Sequence, residues 1–253
     1  MSALHGLILG IVQGLSEFLP ISSSGHLLLT SYILGIPSPP IVFDLVLHLG
    51  TVLSLFFFLK KEIVYAFKKV RLILLLMTSI IFTGVTYFPF KKVFEESYET
   101  INYLPFFFMF TALYLTLFYL RKRGDKKAEE ISFFSAIILG VLQGIAIFPG
   151  ISRSGMVLVG GVLLGMKEEE SFKYTFLLAI PSIIIASFYK FYEYIKAPIY
   201  LSSSPLILGF LFSFIFGLIS LYILLKVVKR REMFIFSIYL FILSIVIFYL
   251  IKR

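Results

Sequence analysis

The sequence contains no cysteine and no tryptophan, and only 15% of its 253 residues are charged. The absence of cysteine excludes disulfides, thiol catalysis and metal sites with cysteine ligands. The shortage of charge accompanies 59% hydrophobic residues and a mean hydropathy of +1.00. Such a chain has more apolar surface than one soluble core could cover, so we expect it to lie in a bilayer.

Six apolar windows are long enough to cross the hydrocarbon, which takes about 17 to 25 residues. They are residues 41–59, 72–90, 101–120, 171–189, 205–225 and 234–250. Two further segments, 4–35 and 131–166, are pairs of short apolar runs with a polar break between them. We expect each to form a re-entrant hairpin that enters and leaves on the same side. The first segment lacks a basic n-region, so we do not expect a cleaved signal peptide.

The formal net charge of +9 is distributed in a way that indicates topology and not binding to nucleic acid. With six crossings, 16 Lys and Arg residues fall on one side and 6 on the other. The positive-inside rule makes the first side cytoplasmic, including loops 60–71, 121–130 and 226–232. It places residues 91–100 and both termini outside. Membrane lipids are therefore expected partners, and nucleic acid is not.

A stretch of sequence occurs twice. Residues 6–25 recur as residues 136–155, and the two copies are identical at ten positions. Each half carries one hairpin and three crossings, an odd number, so the second copy must lie upside down relative to the first. The sequence therefore predicts an all-α integral membrane protein built as an inverted repeat, each half a re-entrant helical hairpin plus three transmembrane helices. The repeats are 1–120 and 131–253 of a single membrane domain.

The first break places ionisable and hydroxyl groups inside an apolar segment. These residues are Gln13, Glu17, Ser22, Ser23, Ser24, Gly25 and His26. Gln13 and Glu17 lie four residues apart, hence on one face of a helix. Polar groups are costly in lipid, and an intramembrane ionisable residue indicates a functional site by default.

The second break supplies a cation. Its polar residues are Ser152, Arg153 and Ser154. Glu17 and His26 have apolar counterparts in the second copy, so the acid/base groups belong to one hairpin and the cation to the other. Such a division is expected if the two hairpins complete one asymmetric site. Because an Arg fork suits phosphate oxygens, the pattern indicates phosphate recognition or phosphoryl transfer at membrane depth.

Simpler structural roles are also open for these residues. The repeated glycines favour close packing between helices over ligand contact; they are Gly10, Gly14, Gly140 and Gly144. Any one of the serines could cap a broken helix. Glu17 and Arg153 could form a structural ion pair, although intramembrane charges are rarely kept for packing alone. Asp44 and His48, at i and i+4, could hydrogen-bond each other within a crossing helix or bind a metal.

The segments QGLSEFLPISSSGH at 13–26 and PGISRSG at 149–155 resemble the two signature regions of the undecaprenyl pyrophosphate phosphatase family, also called BacA or UppP. FDLVLHLGT at 43–51 and the overall length extend the resemblance to essentially the whole chain. The resemblance implies a hydrolase that removes one phosphate from a polyprenyl diphosphate lipid, regenerating the carrier for cell-wall assembly. It also implies a site on the external side of the cytoplasmic membrane and a divalent cation, Mg²⁺ or Ca²⁺, as cofactor.

The same resemblance implies roles for individual residues. The catalytic residues that it implies are Glu17, His26, Ser23 and Arg153, with Glu17 also a metal ligand. The resemblance implies substrate binding by Ser24 and Ser152. The hydroxyl and backbone donors of the two breaks extend the expected substrate-binding residues to Gln13, Ser22, Ser24, Gly25, Ser152 and Ser154. Gln13 occupies a position that is acidic in many family members. The first break of this chain therefore has a single carboxylate, that of Glu17. The choice of Ser23 or His26 as nucleophile, covalent or direct water attack, and a monomer or a homodimer all stay open.

Two other functions compete with this one. The type-2 phosphatidic acid phosphatases also use SGH and SR elements, but they need a second histidine downstream, and no histidine follows His48. An inverted repeat with broken helices is also a transporter architecture, so a polyprenyl-phosphate flippase without hydrolysis is the main alternative. Release of phosphate from a polyprenyl diphosphate distinguishes the two.

Overall fold

The structure, a computed structural model, describes residues 1–36, 40–120, 123–196 and 202–252. Arg121, Lys122 and Arg253, which entered the charge count, lie outside this part of the chain. Within it the regular elements are helices. The α-helices are α1 Ala3–Phe18, α2 Ser23–Ile33, α3 Ile41–Phe58, α4 Lys60–Phe67, α5 Val70–Ser97, α6 Leu104–Thr116, α7 Phe133–Ile145, α8 Arg153–Leu163, α9 Glu168–Lys196, α10 Ser203–Arg230 and α11 Phe234–Ile251.

Six of the described helical segments are long and apolar enough to cross a membrane. They are Ile41–Phe58, Val70–Ser97, Ile101–Tyr119, Glu168–Lys196, Ser203–Arg230 and Phe234–Ile251. All six crossings expected from the sequence are thus confirmed, and several are longer than their apolar windows. The helix α5, for example, has 28 residues and continues through Pro89. The chain is an all-α, multi-pass membrane protein.

The two segments expected to form hairpins each contain a pair of short helices around a break. The longest of these helices, α1, has 16 residues, and α7 has 13. At 1.5 Å per residue, 16 residues extend about 24 Å, less than the roughly 30 Å of the hydrocarbon core. The lengths therefore suit re-entrant helices that end inside the membrane.

Each hairpin packs against a crossing helix of the other half. Helix α1 lies along α10, and α7 lies along α5. A Cβ on Gly10 would approach the carbonyl oxygen of Gly209 to 2.8 Å, and one on Gly140 would come 2.9 Å from the Cα of Ser79. Gly209 and Ser79 are separated by the same offset of 130 as the two glycines. This equivalence confirms the close-packing role of the glycines, while the inversion of the halves across the membrane stays a prediction.

The apolar core lies directly beside the two breaks. Helix α3 packs on α9, and α6 packs on α11. The largest buried cluster draws side chains from both halves, including Phe18, Leu115 and Phe176. Phe18, the last residue of α1, meets the ring of Phe176 edge to face at 5.4 Å between centroids. The end of the first hairpin helix is therefore anchored in the core and not in a loose loop.

The segments rich in Lys and Arg meet at one end of the molecule. The phenol of Tyr65 donates to the carboxylate of Glu129 at 2.6 Å, and Arg71 donates to the carbonyl of Ile131 at 2.9 Å. Arg231, after α10, pairs with Glu168 at the start of α9. These contacts place the loops that the charge count assigned to one side next to each other, while the side of the membrane stays a prediction.

Candidate active site

Glu17 is the centre of the polar cluster, and its side chain is almost fully buried at 1% exposure. It lies one residue before the end of α1, where Pro20 and the following turn interrupt the helix. One carboxylate oxygen accepts hydrogen bonds from Gln13 at 3.0 Å and from Ser23 at 2.5 Å. The other oxygen accepts from the guanidinium of Arg153. A buried carboxylate with this many donors is a satisfied anion, as burial requires.

Arg153 and Ser23 approach Glu17 from equivalent positions in the two copies. Ser23 is the first residue of α2, and Arg153 is the first residue of α8. The two align at the offset of 130 that relates the repeated segments. The pairing of Glu17 with Arg153, across 136 residues of sequence, brings together the groups that the sequence divided between the hairpins. Arg153 keeps 27% of its side chain exposed, so one face of it remains accessible.

The two breaks are joined by Ser22. Its hydroxyl caps α2 by accepting from the N–H of Gly25 at 3.4 Å, and it accepts the N–H of Gly150 at 2.9 Å. The backbone of Ser22 has a φ of 70°, which residues other than glycine rarely adopt. A Cβ on Gly25 would come within 2.9 Å of the nitrogen of Gly150. Glycine is required at this crossing because the two backbones nearly touch.

The serines of the second break have structural contacts. Ser152 caps α8 by accepting the N–H of Gly155 at 3.1 Å, and its own N–H donates to Thr111 at 3.3 Å. The hydroxyl of Ser154 donates to the carbonyl of Leu19 at 3.2 Å, so it also links the second break to the first. These contacts fit the capping role that the sequence left open. A role for Ser152 and Ser154 in binding substrate stays a prediction.

His26 has partners that differ from those of Glu17. One ring nitrogen is 2.8 Å from the carbonyl of Ser22, and the other is 2.7 Å from the phenol oxygen of Tyr239. The imidazole stacks on the ring of Tyr239 at 5.7 Å and meets Phe108 edge-on at 5.2 Å. Tyr239 was not foreseen, since a tyrosine on an apolar helix gives no sequence signal of such a contact.

A second tyrosine reaches the same region. Tyr98, just after α5, donates to the carbonyl of Ile147 at 2.9 Å, beside the second break. Three elements beyond the hairpins therefore contribute to the cluster, through Thr111, Tyr98 and Tyr239.

A narrow cleft runs between Glu17 and Arg153. Its walls are completed by Phe18, Ser154, Thr175, Phe176 and Ala179, and they leave no room even for a water molecule. The cleft is too tight for a lipid headgroup, since ligand pockets usually start at about 300 Å³. Arg153 must leave Glu17, or the walls must separate, before a diphosphate can enter. His26 is not among the residues that line this cleft.

A larger cavity of about 350 Å³ lies at the far end of α2. Its walls include Leu28, Ser31, Tyr32, Glu99 and Asn102, and none of the predicted site residues. The residues that could take part in a reaction therefore lie in the polar cluster around Glu17 and not in this larger cavity.

The donor set around Glu17 suits a cation only in part. Among the described residues there is no group of three or more His, Asp and Glu side chains placed to hold a metal ion. The amide oxygen of Gln13, however, is buried next to Glu17 and accepts no hydrogen bond. Mg²⁺ commonly uses one or two protein oxygens together with substrate phosphates. Gln13 and Glu17 fit that pattern if the substrate supplies the remaining ligands.

Comparison with known proteins shows similarity to one family along almost the full length of the chain. Residues 6–246 match the family described as bacitracin resistance protein BacA. A protein of Thermosipho africanus named undecaprenyl-diphosphatase is 39% identical, over 97% of this chain and 99% of its own. Proteins of the same name from Carboxydothermus hydrogenoformans (36%, over 98% and 97%) and Methanosphaera stadtmanae (34%, over 97% of each chain) are also similar. The chain belongs to the BacA family.

Proposed function

We propose that this protein is an undecaprenyl-diphosphatase, which hydrolyses a polyprenyl diphosphate to the lipid monophosphate and inorganic phosphate. Relatives that match nearly its whole length carry that name. The observation that carries the proposal is the buried contact of Glu17 with both Ser23 and Arg153. It unites a carboxylate, a hydroxyl and a guanidinium at the point where two membrane hairpins break. A polar site at this depth in the membrane suits a lipid diphosphate, because the tail stays in the bilayer while the headgroup reaches the site.

Phosphate binding begins with Arg153. Its guanidinium fork matches two phosphate oxygens, and its exposed face is open to an incoming headgroup. The N-termini of α2 and α8 add backbone N–H groups and the positive ends of two helix dipoles. When Arg153 turns from Glu17 to the diphosphate, the Glu17 carboxylate is freed to accept the proton of Ser23. Substrate binding therefore activates the hydroxyl.

Ser23 is the better placed nucleophile. Its oxygen is 2.5 Å from the Glu17 carboxylate, whereas both ring nitrogens of His26 already have partners. In the proposed reaction Ser23 attacks the terminal phosphorus, its proton passes to Glu17, and the P–O–P bond breaks to release the lipid monophosphate. Water then attacks the phosphoserine and releases inorganic phosphate. Arg153 offsets the charge on the transferring phosphoryl group in both steps.

A divalent cation, Mg²⁺ or Ca²⁺, is part of the proposal. Glu17 and the unpartnered amide oxygen of Gln13 are the residues that would hold it. When bound, the cation supplies additional charge compensation for the phosphate oxygens.

The finer location is also proposed. We place the protein in the cytoplasmic membrane with the site open to the external side, where it recycles the carrier lipid of cell-wall synthesis. The clustering of basic loops at the end remote from Lys91 and Lys190 supports this orientation. Each hairpin packs against a crossing helix of the other half, α1 against α10 and α7 against α5. These contacts support an inverted repeat of 1–120 and 131–253 in one membrane domain.

The test is release of phosphate by the purified, full-length protein from polyprenyl diphosphates in detergent, with and without Mg²⁺ or Ca²⁺. We expect one phosphate and one lipid monophosphate per substrate, with Glu17→Gln as the inactive control. A flippase would translocate the lipid phosphate in vesicles without releasing phosphate. Release at the level of the Glu17→Gln control under all cation conditions would overturn the proposed hydrolysis. Trapping of phosphate on Ser23 in a quenched reaction distinguishes covalent from direct water attack.

A further inference from the structure

One threonine outside the two hairpins bonds directly to the second break. Thr111 lies on α6, the third crossing of the first half, and its side chain is buried at 1% exposure. Its hydroxyl donates to the carbonyl of Gly150 at 2.8 Å and accepts the N–H of Ser152 at 3.3 Å. The single hydroxyl therefore bridges the two peptide groups on either side of Ile151, since it can donate and accept at once.

The bridged segment leads directly into Arg153. Ser152 is the N-cap of α8, and Arg153 is the first residue of that helix. Gly150 has a φ of 104°, a conformation in which the backbone of other residues is strained. Both bridged backbone groups are buried, so loss of the hydroxyl would take a partner from each of them. The bridge thus helps to fix the backbone from which the guanidinium of Arg153 reaches Glu17.

Helix α6 also contacts the second break on both sides of Thr111. A Cβ on Gly150 would come 2.7 Å from the Cβ of Phe107, one turn before Thr111, so α6 and the break approach each other closely. The phenol of Tyr114 donates to the carbonyl of Met156, in the first turn of α8, at 3.1 Å. A residue that positions a functional group must itself be held in this way by its surroundings.

The threonine stands beside the break that supplies the cation and has no counterpart beside the other. At the offset of 130 that relates the repeats, Thr111 corresponds to Phe241 on α11. A phenylalanine cannot form such a bridge. At the same offset Arg153 corresponds to Ser23. A role in helix packing would be expected in both halves, whereas a role in placing Arg153 is needed in one.

We propose that Thr111 is a positioning residue of the phosphate site, whose hydroxyl holds the second break so that the guanidinium fork of Arg153 meets two phosphate oxygens. This inference rests on the proposed function. A fork binds two oxygens only in a narrow range of orientations, and a displacement of about 1 Å can cost roughly a hundredfold in rate. Thr111 acts through Arg153 and does not touch the substrate.

The first test removes the hydroxyl and then restores it. Thr111→Val keeps the shape of the side chain, and we expect kcat/KM for phosphate release from a polyprenyl diphosphate to fall by at least about tenfold. Thr111→Ser keeps the hydroxyl and should stay within about threefold of wild type. Thr116→Val is the matched control, because Thr116 is exposed on the same helix and donates to Leu113 of that helix at 2.6 Å. Its kcat/KM should stay within about twofold of wild type.

A second test separates positioning of Arg153 from a general loss of structure. Lysine carries a point charge on a flexible stem, so the effect of Thr111→Val should shrink to less than about threefold in an Arg153→Lys background. A merely structural defect would cost the same factor in both backgrounds. All variants are purified at full length and assayed well below their unfolding temperatures. If Thr111→Val does not fold, Thr111→Cys, with a weaker hydrogen-bonding group, replaces it in each comparison.

A kcat/KM within about twofold of wild type in the folded Thr111→Val protein, or in the Thr111→Cys protein that replaces it, would refute the role of Thr111. So would an equal loss in the wild-type and Arg153→Lys backgrounds, or a Thr111→Ser protein as impaired as Thr111→Val. Absence of phosphate release by the wild-type protein would instead refute the proposed function itself.

Discussion

The hydroxyl of Ser22 accepts the backbone N–H of Gly150 at 2.9 Å, so a side chain of the first break satisfies the main chain of the second. Both residues lie in the φ-positive region, at 70° and 104°. The contact holds Ser23 and Arg153, the residues that follow each break, around the same carboxylate. The geometry of the site therefore depends on a hydrogen bond between two segments that are far apart in sequence.

Replacement of Ser22 by alanine should destabilise the protein and weaken catalysis together. It leaves the buried N–H of Gly150 without a partner and removes the cap of α2, at a cost of about 1–3 kcal/mol. Thermal unfolding in detergent measures the effect. Ser132→Ala is the matched control, because Ser132 caps α7 by accepting only from within its own turn. Equal losses of thermal stability in the two variants would show that the hydrogen bond between Ser22 and Gly150 adds nothing to the stability of the protein.

The charges of Glu17 and Arg153 should be indispensable for activity. We expect Glu17→Gln and Arg153→Ala each to lower kcat/KM by at least about a hundredfold, the scale for loss of an acid/base group or an electrostatic stabiliser. Ser154→Ala should cost less than about tenfold, since its hydroxyl donates to the carbonyl of Leu19.

Phosphate release by purified variants that retain a monodisperse fold gives the measurement. Arg153→Ala leaves Glu17 buried without its cation, so the double variant Glu17→Gln/Arg153→Ala serves as a more stable inactive protein. Near-normal turnover in folded Arg153→Ala protein would contradict the assignment of the site.

Much of this arrangement could be predicted from the sequence, because it follows from local patterns. The six crossings come from continuous apolar length, and the breaks at Pro20 and Gly150 come from residues that interrupt helices. The repeated sequence suggested that Glu17 and Arg153 would meet, as they do. Contacts between helices distant in sequence could not be predicted in this way. Tyr239 lies on a predominantly apolar helix, and no periodicity of that helix shows which neighbour its phenol will contact.

The contact between Tyr239 and His26 should orient the imidazole. In Tyr239→Phe the stacking remains, but the hydrogen bond of 2.7 Å to the ring nitrogen is lost. We expect a fall in kcat of about tenfold. This is smaller than the loss of about a hundredfold that removal of an acid/base group gives, because an orienting group acts through the residue that it holds. Tyr249→Phe, at an exposed position on the same helix, is the control. If Tyr239→Phe kept the full kcat, His26 would not need this partner.

The orientation of the protein in the membrane can be tested directly, because the chain has no cysteine and each introduced cysteine is unique. The structure gathers the basic segments at one end, through contacts such as that of Tyr65 with Glu129, and the positive-inside rule makes that end cytoplasmic. The two positions for cysteine are Lys61, in the basic segment, and Glu96, near the far end of α5. The native side chains at both positions are exposed. In intact cells an impermeant maleimide should label Glu96→Cys and should label Lys61→Cys only after the membrane is opened. The opposite pattern would place the basic loops outside and would turn the proposed site toward the cytoplasm.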